Sequence, residues 1–186
     1  MTEHGLGEEY LRPYPLSRYY ALWTVIADRI RRGGRQRVLE IGCGNGRLAA
    51  FLLELGIEQY VGLDFSPVFI NMARRLVSGA RFIVEDARTS SIYSEFEYDF
   101  IVCTEVLEHI PEDLLVVSRF AAGTRCLCTV PDFPAENHVR HFRDTREVAQ
   151  RYGRFFTDFD VVALKGATGS GVGVYFLLDG IRNDYR

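Results

Sequence analysis

The sequence predicts a single α/β domain: a doubly wound, three-layer sandwich around a mainly parallel sheet, closed by an antiparallel hairpin at its end. Three observations predict it. Short apolar runs alternate with segments of helical spacing from residue 16 onward, which is the signature of βαβ units. Glycines and acids stand directly after several of those runs, where open α/β sheets bind ligands. The last two runs are separated by Gly166, Gly169 and Gly171 with no helical pattern between them, as in a hairpin.

Each element has a local reason. Residues 16–32 carry apolar positions at helical spacing and stop at Gly33-Gly34. Residues 37–41 read as a short buried strand, and 47–55 as a helix closed by Gly56 in the left-handed stop position. A second strand spans 59–63 and ends at Asp64. Ser66-Pro67 supplies an N-cap and an N1 proline for a helix ending near Gly79. Strands are expected at 81–84, 98–104 and 126–130. Residues 105–122 read as largely helical, restarted by Pro111. Asp144 and Glu147 form a capping box for a helix ending at Gly153, and strands at 158–164 and 172–178 finish the chain. No repeat or linker divides it, so residues 1–186 are read as one domain, with 1–36 a helical cover and 37–186 the core.

Composition narrows the class. The chain of 186 residues is 47% hydrophobic and 25% charged, an ordinary globular balance. No apolar run approaches the ~20 residues of a spanning helix, and the acidic N-terminus lacks the apolar core of a signal peptide. Cys43, Cys103, Cys126 and Cys128 show no CxxC spacing, and three of them sit inside apolar runs, so a reducing cytoplasm is expected. The net charge of −3 argues against a dedicated nucleic-acid binder. The Arg29, Arg31, Arg32, Arg35 and Arg37 cluster reads as a solvated helix end, suited to the negative pole of the helix dipole.

Chemistry concentrates at the strand ends. Glu40-Ile41-Gly42-Cys43-Gly44-Asn45-Gly46 combines glycines, which let backbone approach a ligand, with an acid that would repel a pyrophosphate but suits a cation. A dinucleotide site wants G-x-G-x-x-G with a small last residue; here Arg47 stands where that glycine belongs, which weighs against an NAD-dependent oxidoreductase. Asp64, at the end of the second strand, can accept hydrogen bonds from both hydroxyls of a ribose. Glu85-Asp86-Ala87 follows the third strand, and Thr104-Glu105 ends the fourth, beside the glycine loop.

With VLEIGCGNG at 38–46, VGLDFS at 61–66, VEDAR at 84–88 and YDFIVCTEVLEHI at 98–110, the sequence resembles the class I S-adenosylmethionine (SAM)-dependent methyltransferases. The resemblance is close over about residues 37–131, and the terminal hairpin suits that family's seven-stranded sheet. It implies that Gly42, Gly44 and Gly46 line the methionine part of SAM, with Glu40 near its amino end. Asp64 would hold the ribose, Phe65 would lie against the adenine, and Asp86 and Ala87 would contact its edge. Thr104 and Glu105 would complete the cofactor wall.

Methyl transfer from a sulfonium needs alignment more than acid–base help. A base matters only if the acceptor must lose a proton, and His109 and His138 are the candidates. Glu105, Glu108 and His109 would share one helical face. With His141 they resemble the divalent-metal set of small-RNA 2′-O-methyltransferases and of some ubiquinone-pathway O-methyltransferases, although EVLEH also stands in members that use no metal. A small-molecule acceptor is expected, methylated on oxygen or nitrogen, in a pocket walled by the N-terminal segment and the loop 131–142. Tyr10, Tyr14, Tyr19, Tyr20 and Trp23 would either cover that pocket or form a helix face. The enzyme is expected to act as a monomer or homodimer. The rival to catalysis is a SAM-binding module that has lost it.

Overall fold

Alternation at strand positions builds the two cores. The computed structural model describes residues 12–34, 36–169 and 171–185; Tyr10 and Arg35 lie outside them. The strands are β1 (Arg37–Ile41), β2 (Gln59–Asp64), β3 (Arg81–Val84), β4 (Phe100–Thr104), β5 (Arg125–Pro131), β6 (Phe156–Ala167) and β7 (Val172–Arg182). Along β4, Phe100 and Val102 face one side of the sheet while Ile101 and Cys103 face the other; β5 and β7 alternate likewise. Both faces are buried, so the central strands are almost wholly apolar, as expected where helices cover both sides.

The seven strands form one sheet in the order β3-β2-β1-β4-β5-β7-β6. The first five are parallel, and β7 enters antiparallel between β5 and β6. The chain moves outward in one direction from β1 to β3, then restarts at β4 on the other side of β1. That reversal opens a crevice beyond the carboxyl ends of β1 and β4, where such sheets bind ligands.

One face carries α1 (Tyr20–Arg32), α2 (Arg47–Glu54) and α3 (Pro67–Leu76). Ile26 and Ile30, Leu48 and Leu52, and Ile70 and Ala73 are their buried contacts. The other face carries α4 (Ile92–Glu95), α5 (Asp113–Ser118) and α6 (Thr145–Tyr152), with Ile92, Val116, Val117, Val148 and Tyr152 inward. Helix caps form where the sequence places them: the Ser66 hydroxyl accepts from Phe69 N at 3.4 Å, and Asp144 accepts from Arg146 N and Glu147 N at 2.9 and 3.0 Å. Glu147 reaches back to Arg143 N, one residue ahead of the cap, at 2.7 Å.

Several boundaries differ from the expectation. The first helix starts at Tyr20, because Tyr14–Leu16 make a separate 3-10 turn and the Ser17 hydroxyl binds Tyr19 N. The stretch 105–122 is mostly not α-helix: Glu105 takes a left-handed φ of 57°, Leu107–His109 make one 3-10 turn, and only Asp113–Ser118 is α-helical. The short α4 was not foreseen. The hairpin strands run longer than expected because β6 and β7 pair with each other from Phe156↔Arg182 to Ala167↔Val172, and β5 adds a second partner to β7 over Tyr175–Ile181.

The arginine cluster is spent partly on architecture. Arg29 pairs with the buried Asp179, which Arg125 also holds at 2.8 Å, and Arg37 binds Asp99 at 2.9 Å. Arg32, paired with Asp28, and the exposed Arg31 remain at the solvated helix end. All four cysteines are buried and free. No helix among the described residues is long and apolar enough to cross a membrane.

Candidate functional site

The crevice beyond β1 and β4 holds a cavity of about 1050 Å³. Its floor is the turn after β1. Gly42 sits at φ 72°, and a Cβ there would stand 2.2 Å from Val106, so only glycine lets this turn pass beneath the segment following β4. Gly42 N and Cys43 N both donate to Leu63 O, at 2.8 and 3.0 Å, which ties the turn to β2. Gly44, at φ 51°, has no atom within 4 Å of where a Cβ would be; its backbone faces open cavity. Gly46 does not line the cavity. It opens α2 in a left-handed conformation, and a Cβ there would crowd Ala73, Val77 and Phe82 at 3.1–3.2 Å, so its work is helix–sheet packing.

Two acids anchor this floor. Asp64 is buried and accepts from Gly44 N at 3.0 Å and Ser66 N at 2.8 Å. Burial raises its pKa, and those two backbone donors oppose the rise. Glu40 is buried with its Oε2 atom lacking any hydrogen-bond partner, and burial, then the Asp64 charge, pushes its pKa well above the carboxylate range. A buried orphan carboxylate beside a second acid is costly unless a cation arrives. A ligand with ammonium and sulfonium charges fits that need, and bare backbone at Gly44 leaves the room.

The opposite wall carries the other expected residues. Phe65 is 80% exposed at the cavity edge, so it is no core residue. Asp86 lines the cavity but is held by Arg88 at 2.6 Å, which lowers its pKa. Ala87 is on the wall, and its carbonyl is taken by the Tyr93 hydroxyl at 2.9 Å. Thr104 and Glu105 complete the lining. Glu105 is clamped by the buried Thr129: the Thr129 hydroxyl accepts from Glu105 N at 3.1 Å and donates to its carboxylate at 3.0 Å.

Burial pushes the Glu105 carboxyl from 4.5 up to about 7, against the Thr129 bond and the Arg18 charge. The folded state therefore holds this proton more tightly than the unfolded chain, and stability falls as pH rises from about 4.5 to about 7. Glu105→Gln is expected to match wild type near pH 4 and exceed it at pH 8 by about 1–3 kcal/mol. Melting curves across that range check this; a variant less stable than wild type at pH 8 would contradict it.

The expected face of Glu105, Glu108 and His109 is not made, because Glu105 lies outside the 3-10 turn. Glu108 is fully buried, off the cavity wall, and neither carboxylate oxygen has a hydrogen-bond partner; burial, then the Glu105 charge, raises its pKa. His109 lines the cavity, with Nδ1 3.1 Å from Asn137 O. His138 stands behind it, the two rings edge-on with centroids 4.7 Å apart. Ligand atoms of Glu108, His109 and His138 all lie within 4.8 Å of one another. His141 is exposed in a separate groove of about 460 Å³. The grouping that forms is thus Glu108 with both loop-facing histidines, without Glu105 or His141.

The remaining wall comes from three directions. The N-terminal segment supplies Arg12, residues 15–19 and Trp23. Tyr14 and Tyr20 instead pack on Phe51, at 5.2 and 5.4 Å, so the aromatic series splits between covering the cavity and building a helix face. Of the loop 131–142, only Asn137 lines the cavity; the hairpin turn contributes Thr168 and Gly169. Sequence reasoning missed the hairpin's part and that of Arg18, Arg47 and Arg88, since nothing local marks a distant turn as a roof.

Residues 38–124 match the family described as methyltransferase domain. Over 120 residues the chain is 32% identical to a ubiquinone biosynthesis O-methyltransferase of Xanthomonas campestris pv. campestris, covering 59% of this chain and 49% of that protein. The chain thus spans about half the length of the curated relatives it matches. Among solved structures, the magnesium protoporphyrin IX methyltransferase of Synechocystis PCC 6803 with bound SAM aligns with a TM-score of 0.65 at 17% identity, over 88% of this chain and 80% of that one. The YcgJ protein of Bacillus subtilis aligns with a TM-score of 0.67 at 13% identity, over 89% and 100% of the two chains. At such identities these likenesses speak for the fold.

Proposed function

We propose that this chain is a class I SAM-dependent methyltransferase, and that it transfers the methyl group of SAM to a hydroxyl oxygen of a small-molecule acceptor. The observation that carries the reading is the pairing of Gly44's open backbone with the buried acids Glu40 and Asp64 on one floor of a cavity of about 1050 Å³. Ligand pockets span roughly 300–1000 Å³, so this cavity stands at the large end of that range, as a site for a cofactor and an acceptor would. The O-methyltransferase name of the Xanthomonas relative supports oxygen as the target. Four unpaired buried thiols support a reducing cytoplasm as the setting.

When bound, SAM supplies an electrophilic methyl on a sulfonium. Glu40 would meet its amino end and Asp64 its ribose, while Phe65, Asp86 and Ala87 flank the adenine. Tyr19, Trp23, Thr168 and Asn137 exclude water and orient the acceptor. His109 is the residue suited to take the acceptor's proton. With Nδ1–H donated to Asn137 O, its Nε2 atom carries the lone pair, 3.9 Å from Glu108 Oε1. His138, behind it, supports the ring, and its own pKa is lowered by burial and by His109.

Incubating the protein with methyl-labelled SAM and a panel of phenols and catechols tests the proposal, alongside calorimetric SAM binding. Methylated product with at least one acceptor is expected. Tight SAM binding with no product from any acceptor would favour the non-catalytic module.

The convergence of Glu108, His109 and His138 supports a second reading, in which a divalent cation assists at the acceptor oxygen. Mixed oxygen and nitrogen donors suit Mg²⁺ or Mn²⁺ among the available ions. Under that reading, chelation abolishes turnover and added Mg²⁺ or Mn²⁺ restores it; unchanged turnover after chelation leaves His109 as the unassisted base.

A further inference from the structure

The turn that presents His109 has few bonds of its own. Its internal ties are His109 N to Val106 O at 3.0 Å and Ile110 N to Leu107 O at 3.3 Å. What holds it comes from a loop some thirty residues later. Val139 N donates to Glu108 O at 2.8 Å, and Asn137 O faces the His109 ring. Beside them the Arg140 guanidinium, only 15% exposed, fans across the turn. Its Nη1 donates to Leu107 O and to Ile110 O, the latter at 2.6 Å, and its Nη2 donates to Pro111 O at 3.0 Å.

Arg140 is itself fixed from behind. It stands 3.3 Å from Asp113, a fully buried carboxylate. Arg151 grips that carboxylate with two bonds of 2.8 and 2.6 Å, and the Tyr152 hydroxyl donates to it at 2.6 Å. The chain of contacts runs from α6 through Asp113 and Arg140 to the turn whose other side is the cavity wall. Arg140 does not line that cavity; it lines the adjoining groove. A planar fork can reach three carbonyls at once, whereas a lysine ammonium is a single point of charge.

We infer that Arg140 is a positioning residue for methyl transfer: by clamping the carbonyls of Leu107, Ile110 and Pro111 it holds His109 against the acceptor. The inference rests on the proposed methyl transfer. None of the SAM-side residues Glu40, Gly44 and Asp64 contacts Arg140, so binding and turnover should separate. Misplacing a reacting group by about 1 Å can cost on the order of 100-fold in rate.

Arg140→Gln is expected to keep SAM affinity within about twofold of wild type while kcat falls at least tenfold, and the acceptor KM should rise. Arg140→Lys, which keeps the charge beside Asp113 but loses the fork, should fold as wild type does and still show most of the kcat deficit. That second variant keeps the test decisive if the first fails to fold. A purely structural residue would instead lower the SAM-competent fraction and turnover together, with kcat per competent site unchanged; that result, or a kcat equal to wild type, overturns the inference.

If wild type binds SAM but methylates nothing, the proposed function fails on its own. The clamp is then read by hydrogen exchange in Arg140→Lys. At least tenfold faster exchange at Ile110 and Val139, with α2 amides unchanged, is expected. Exchange equal to wild type overturns it.

Discussion

A Gly44→Val variant binds SAM at least about 100-fold more weakly than wild type and still folds. The left-handed φ of 51° costs an L-residue roughly 1–2 kcal/mol, which for a chain of this size lowers melting by less than about 10 °C. The added Cβ has open space around it, with nothing within 4 Å of its position; the side chain projects into the space the cofactor needs. Asp64→Asn is the complementary change. It keeps the side chain's shape but removes the charge and sets an amide NH2 against one of the two backbone donors, Gly44 N or Ser66 N; the loss of charge-assisted bonds, about 1.5–3 kcal/mol, corresponds to roughly 10- to 100-fold in affinity. Calorimetric titration with SAM, paired with melting curves, reads both. Folded variants with undiminished affinity would refute the assignment of this floor to SAM.

Asp113→Ala lowers folding stability by about 3–5 kcal/mol, the usual loss when one member of a buried ion pair is removed. For a domain of this length that is a fall in melting temperature on the order of 10 °C. Four groups lose a partner at once: Arg151, Arg140, the Tyr152 hydroxyl and Leu114 N. The contrast is Asp28→Ala on α1. There both partners of the Arg32 pair are mostly exposed, at 79% and 57%, and solvent and salt reduce the pair to at most about 0.5–1 kcal/mol. Urea titrations of the two variants give the comparison; an Asp113→Ala loss under about 1 kcal/mol would show that the buried hub is not what secures α6 to the turn at 107–111.

The parts of the fold legible in the sequence are those whose signal is local and redundant. β1, β2 and β3 end where the apolar runs end, and α3 and α6 begin where Ser66 and Asp144 cap them. The stretch after β4 departs from its helical expectation because its residues favour helix while its geometry obeys a distant constraint. Thr129, on the neighbouring strand, seizes both the amide and the carboxylate of Glu105 and holds it left-handed. Gly46 shows the converse. Its place in a glycine series suggested ligand contact, but the pressure on it comes from Ala73, Val77 and Phe82 across α2.

Short-range chemistry, written in the sequence, determined which backbone can bend at Gly42 and Gly44, which acids end β1 and β2, and that a parallel sheet would gather them in one crevice. Tertiary structure alone decided which histidine faces the cavity. His109, His138 and His141 are equivalent as residue types; the Arg140 bonds to the 107–111 turn and the Asn137 carbonyl hold the first on the wall, while the second stands behind it on Phe133 O and the third lines another groove. It also decided that the hairpin turn at Thr168–Gly169 would roof a site built more than a hundred residues earlier. The physical reason is range. Dihedral preferences and capping act over a few residues, whereas a side chain's direction into a cavity is set by packing and hydrogen bonds between segments that meet only once the sheet has formed.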